Sequence, residues 1–177
     1  MKKENSPESI ESFFQGALRG SLHEEMPEVE QYLVGLLVRF LHQDCVFPIH
    51  DDKGQPVTSV AEMLEYGDVR LRAPSFKAER DVHRHIGDLL LFWSGVFPEF
   101  LPRLAAPGTK DMLLNCVAQG QMSYGIAGSF DHDPFADEAR VLRRLSDRFV
   151  VYQRSLSLVR ASFEGFSRQG WVDGFSA

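Results

Sequence analysis

Between Leu142 and Phe166 apolar residues recur at steps of three and four without interruption: Leu142, Leu145, Phe149, Tyr152, Leu156, Val159, Phe163 and Phe166. Alternating steps of that size keep side chains on one face of an α-helix. The opposite face carries Arg140, Asp147, Arg154 and Arg168, which belong in water. A chain with such a stripe must bury it against other helices, its own or a partner's. The stripe predicts one long C-terminal helix, with a seam of about 36 Å at 1.5 Å per residue, longer than neighbouring helices of about 20 residues can cover. Leu156, Val159, Phe163 and Phe166, at the end of that seam, are therefore expected to form a homodimer interface.

The rest of the chain reads as helix too. Ser6-Pro7 looks like an N-cap followed by a first-turn proline. Ile10, Phe13, Phe14, Ala17 and Leu18 form a stripe ending near Gly20. Pro27 opens a second helix with a broad stripe from Val29 to Leu41, and acidic residues cluster at its start, where the helix dipole favours them. Residues 44–57 read as a turn-rich loop. Ser59 with Glu62 marks a capping box for a short helix through Tyr66, closed by Gly67. Asp68 to Arg72 alternates charged and apolar residues and is expected to be an extended connector. A fourth helix covers about 76–97, limited by Pro98, and a fifth about 109–128. Asp133-Pro134 is expected to cap and open the last helix. The fold class is therefore all-α: a single-domain bundle of five to six helices over residues 1–177, with 1–5 and 168–177 expected to be flexible.

Composition narrows the function classes. At 177 residues the chain can bury a core without metal or disulfide staples, and its fourteen phenylalanines fall mostly at helical spacing. A net charge of −6 argues against binding nucleic acid through phosphate neutralisation, and against attraction to an anionic membrane surface. Two cysteines are too few for a secreted disulfide framework. The longest apolar run, Leu89 to Trp93, is far short of a membrane span. A cytoplasmic protein is expected.

The fourth helix carries the best candidate for chemistry. Asp81, His85 and Asp88 are spaced four and three apart, on one face beside a core stripe of Val82, Ile86, Leu89, Trp93 and Val96. Two carboxylates flanking a histidine would raise its pKa and suit it to proton transfer or ligand binding. The structural alternative is a hydrogen-bonded histidine with ordinary surface carboxylates. Glycines 87 and 95 in this helix, and 120, 125 and 128 in the next, each cost stability relative to alanine. Either the two helices approach closely, or the small residues leave room for a ligand, with the Tyr124 hydroxyl beside His85.

Other clusters have simpler explanations. Asp131-His132-Asp133 could ligate a metal but reads better as a cap. His50-Asp51-Asp52 reads as a turn. Arg140, Arg143, Arg144 and Arg148 read as a solvated flank paired with Asp137, Glu138 and Asp147. No phosphate loop, nucleophile elbow or zinc-spaced cysteine pair occurs, and no cofactor or metal is implied.

His85-Ile86-Gly87-Asp88, leading into Trp93-Ser94-Gly95-Val96-Phe97, resembles a group of uncharacterised bacterial all-helical proteins. These share a His-x-Gly-Asp helix that runs into a Ser-Gly-x-Phe end. The resemblance implies that His85, Asp88, Gly95 and Tyr124 form a shared pocket or packing motif, and it brings no activity. Two functions follow as expectations. The first is a non-catalytic helical interaction protein acting as a homodimer. The second is a sensor or enzyme with a small-molecule pocket between the fourth and fifth helices, lined by Asp81, His85, Asp88 and Tyr124.

Overall fold

In the computed structural model, residues 7–22, 26–104 and 112–162 are described, and they contain eight α-helices and one 3-10 segment. The helices are α1 (Pro7–Arg19), α2 (Pro27–Arg39), α3 (Gln43–Val46), α4 (Val60–Tyr66), α5 (Phe76–Val96), α6 (Met112–Gly128), α7 (Ala136–Asp147) and α8 (Phe149–Ser162), with the 3-10 turn at Pro98–Leu104. The all-α class holds. The helix count exceeds the expected five or six for two reasons: the loop after α2 contains the one-turn α3, and the last helix is broken in two. No strand forms among the described residues, and an isolated bridge between His50 and Pro56 closes the turn around Gly54.

Local chemistry sets the helix starts. Pro27 supplies the first turn of α2, with Glu28 and Glu30 beside it. The Ser59 hydroxyl accepts from the Glu62 N–H at 3.1 Å, which is one half of the capping box expected from the sequence. Ser75 does the same for Ala78 at the start of α5. Asp68 to Arg72 is not extended. The Asp68 carbonyl accepts from the N–H groups of Leu71, Arg72 and Ala73, and its carboxylate accepts from the Arg70 N–H, so the segment coils into a turn. Asp68 satisfies more of the backbone in this way than an unpartnered strand could.

The central helix is α5. From Ile86 to Val96 every side of it is buried, and it packs against α2, α4, α6, α8 and the 3-10 turn. A helix apolar all round belongs in the middle of a bundle. Phe40, Phe92, Trp93, Phe97 and Phe100 form a chain of edge-on and tilted ring pairs around its C-terminal half.

The seam from Leu142 onward does not lie on one long helix. The chain breaks at Arg148, whose φ of −117° and ψ of 26° leave the helical region. At the break, Gln121 of α6 donates to the Ser146 carbonyl at 3.2 Å, and the Ser146 hydroxyl donates to the Gln121 carbonyl at 2.7 Å. A side chain from another helix thus competes for a carbonyl that a continuous helix would keep for itself. The seam survives the break, because Leu142, Leu145, Phe149, Tyr152, Leu156 and Val159 are all fully buried within this chain. A second copy is not needed to cover them.

Candidate functional site

The polar centre of the bundle is built around Asp88, which is 3% exposed. Its Oδ1 accepts from the hydroxyls of Tyr32 and Tyr124, each at 2.8 Å, and its Oδ2 accepts from Arg39 Nη2 at 3.0 Å. Tyr32 and Arg39 stand seven residues apart on α2, two turns along one face. Tyr124 comes from α6, and Gly87 makes room for it: a Cβ at Gly87 would lie 2.6 Å from the Tyr124 ring. Burial, reinforced by the neighbouring Asp88 charge, pushes both phenols well above their usual range. Both therefore keep their protons and act as donors. With two phenols on one oxygen and a guanidinium on the other, Asp88 ties α2, α5 and α6 together.

His85 stands apart from this clamp. Its ring lies 6.1 Å from that of Phe40, and the hydroxyl of Tyr124 goes to Asp88, not to His85. Burial lowers its pKa, outweighing the opposing pull of Asp88 and of a hydrogen bond to the Val46 backbone. That corrects the expected rise: proximity to carboxylates counts for less than desolvation when no carboxylate oxygen is bonded to the ring. His85 Nε2 is buried with no hydrogen-bond partner in the structure. His83, on another side of α5, is likewise lowered by burial, against the pull of Asp68 and the Gly67 backbone.

Asp81 does not join His85 and Asp88 either. Lys77 and Arg80 bond its two oxygens at 2.7 and 2.8 Å. Although partial burial pushes its carboxyl upward, Lys77, Arg84 and Arg80 together hold it below the usual value. Arg80 is the largest fully buried side chain, at 2% exposure. It bonds Glu138 of α7, and its guanidinium lies 4.2 Å from the Phe135 ring centroid. Arg84 reaches the same Glu138 at 2.9 Å. Sequence reasoning missed Tyr32, Arg39, Arg80 and Glu138. The available signal was spacing: Arg80, Arg84 and Asp88 recur every four residues on α5.

The loop clusters resolve as local structure. Asp131 pairs with Arg143, and the Asp133–Pro134 peptide bond is cis. Asp133 is not the N-cap of α7, since the helix begins at Ala136 with Phe135 in the cap position and no capping side chain. Among the described residues no group of three or more potential metal ligands occurs. Asp51 accepts from the N–H groups of Lys53 and Gln55, making the turn expected at His50-Asp51-Asp52.

The glycines expected to mark either close packing or a ligand space are filled by protein. A Cβ at Gly120 would sit 2.4 Å from the Phe149 ring, and one at Gly95 would sit 2.7 Å from Leu156 Cβ. Of the expected interface residues, Leu156 and Val159 lie in the chain's own core. Phe163 and Phe166 lie outside the described residues. The exposed apolar residues of α8 are different ones: Val150, Val151 and Leu158, exposed at 39%, 38% and 57%. They share the outer face with Arg154, Ser157 and Ala161.

No described helix is long and apolar enough to cross a membrane. No family model matches the chain, and no curated protein or solved structure is found to match it.

Proposed function

We propose that this protein is a non-catalytic helical interaction protein that self-associates through the outer face of α8. One observation carries the reading. Three of the six large apolar residues exposed among the described residues fall on one side of this single helix. At 100° per residue, Val150, Val151, Arg154, Ser157, Leu158 and Ala161 occupy one arc opposite the buried Phe149, Tyr152, Leu156 and Val159. Exposed apolar residues gathered on one face mark an interaction site more often than scattered ones do. The three-donor Asp88 clamp and the filled glycine positions support a structural role for the bundle centre. Sedimentation velocity over a concentration series tests the proposal. Wild type should dimerise, and Val151→Lys combined with Leu158→Lys should be monomeric with unchanged helicity. A wild type that stays monomeric up to high micromolar concentration refutes it.

A second reading, a small-molecule pocket beside His85, rests on the unpartnered His85 Nε2. Native mass spectrometry tests it. A small adduct lost in His85→Ala supports it, and a bare chain in every preparation counts against it.

A further inference from the structure

Two histidines of α5 lie beneath the two short helices that join α2 to α5. At 100° per residue His83 and His85 point to nearly opposite sides of α5. His83 is 6% exposed, and its Nε2 faces the backbone of Gly67, which closes α4. His85 faces the backbone of Val46, the last residue of α3. In each ring the second nitrogen, Nδ1 of His83 and Nε2 of His85, is buried without a hydrogen-bond partner. A neutral imidazole can leave one nitrogen bare, because that nitrogen carries no proton. In a charged imidazole both nitrogens are donors, and one of them would point into the interior with nothing to accept it. The surrounding charges give little relief. Asp68 pulls on His83, but Arg70 bonds both of its oxygens, and Glu79, one turn before His83 on α5, acts on Arg70 as well. Around His85, Asp88 already accepts from Tyr32, Tyr124 and Arg39, and Asp81 from Lys77 and Arg80, while Arg84 and Arg39 oppose a further positive charge.

We propose that residues 43–73, which comprise α3, α4 and their connections, form a cover that mild acid releases: charging His83 and His85 lifts it from α5 while the rest of the bundle stays folded. The cover is lightly anchored. Among its described side chains only Val46, Val57, Met63, Gly67 and Ala73 are buried, whereas α5 is buried on every side from Ile86 to Val96. Segments that bury little apolar surface open at lower free energy than the core. Once lifted, helices as short as α3 and α4 do not hold their own hydrogen bonds. The sign of the pH effect follows from proton binding. The open form, with its rings in water, binds more protons than the closed form below about pH 6.5, so opening rises as the pH falls through that value. At pH 5.5 each ring that reaches water favours opening by up to about tenfold, and the two together by up to about a hundredfold. Asp68, held down to about 2 by its bonds from Arg70, stays charged over this range.

Amide hydrogen exchange of the full-length chain at pH 7.5 and pH 5.5, each corrected for its intrinsic rate, provides the test. The reporters are the N–H groups of Val57, Met63, Gly67 and Ala73, which donate to the carbonyls of Ile49, Ser59, Met63 and Asp68. At both pH values they should open more often than the amides of α6 and α8, and their opening should rise by between about tenfold and a hundredfold on acidification. His83→Gln and His85→Gln should each remove part of that rise, and the double variant should open equally at both pH values. The single variants keep the test decisive if the double variant does not fold. An opening that stays constant in wild type overturns the proposal, as does a rise that survives in both single variants undiminished. Reporters as well protected as α6 and α8 at both pH values overturn it too, because the segment would then open only with the whole fold. None of these outcomes depends on whether the chain self-associates through α8.

Discussion

Asp88→Asn separates the electrostatic role of the clamp from its shape. The substitution keeps the volume of the side chain and one carbonyl oxygen, which can still accept from Tyr32 and Tyr124 at the Oδ1 position. The other oxygen becomes an NH2 group facing Arg39 Nη2, now 3.0 Å from a second donor. Two losses follow, and one relief. The hydrogen bond to a charged partner, worth about 1.5–3 kcal/mol when intact, disappears. The two phenol bonds change from carboxylate to amide acceptors, at about half the strength each. The Arg39 side chain, 43% exposed, can swing into water, which limits the first loss to the low end of its range. The sum is a destabilisation of about 3 kcal/mol, or a fall in Tm of roughly 6–12 °C for a chain of this size. Urea unfolding followed by circular dichroism measures it, and an unchanged m-value confirms that the native fold persists. Tyr124→Phe should cost less, about 1.5 kcal/mol, because Asp88 keeps its other two donors. If Asp88→Asn costs under about 1 kcal/mol, or less than Tyr124→Phe, the clamp does not hold these helices together and the argument for a structural centre is wrong.

Two more predictions concern packing and pH. Gly95→Ala should destabilise the fold by about 1–2 kcal/mol despite the gain in helix propensity, because the new Cβ meets Leu156 Cβ at 2.7 Å and the Gln153 carbonyl at 3.0 Å. Gly35→Ala should instead stabilise it by up to about 1 kcal/mol, since only the flexible Arg39 Nη1, at 3.6 Å, is nearby; a pair of thermal melts checks the opposite signs. His83 and His85 both have folded pKa values below the unfolded value of about 6.5. The unfolded chain then binds more protons as the pH falls through that value, so stability should drop below about pH 6.5 and level off below the folded pKa values. Urea midpoints between pH 8 and 5 check this, and the His83→Gln, His85→Gln double variant should flatten the curve.

Covering α8 by a second copy would also account for why Val150, Val151 and Leu158 are spread along a helix whose other face is sealed in the core. The seam from Leu142 to Val159 shows how an intramolecular core can resemble an intermolecular one in sequence. Its apolar spacing is that of a coiled coil, yet the chain's own helices cover all six of its described positions. Length alone pointed to a dimer through a face of which the described residues, Leu156 and Val159, are buried by the chain itself. The break at Arg148 shortened the helix, and α5 supplied the cover.

What the sequence determined by itself was local and periodic. Helix identity followed from the three-and-four rhythm, and the starts of α2 and α4 from Pro27 and Ser59, because such signals act within one or two turns of the chain. Close approach of α5 and α6 was legible in outline from their glycines; Gly87 does meet Tyr124 of α6, but Gly95 and Gly120 meet Leu156 and Phe149 of α8, which their spacing did not indicate. Only tertiary structure decided the rest. Asp88 is 56 residues from Tyr32 and 36 from Tyr124, so no local pattern could join them. The pKa of His85 fell where sequence neighbours suggested a rise, because burial is a property of all the surrounding helices and adjacent charges are only one part of it. The break at Arg148 depends on Gln121, a residue on another helix competing for a backbone carbonyl, and hydrophobic periodicity carries no trace of that competition.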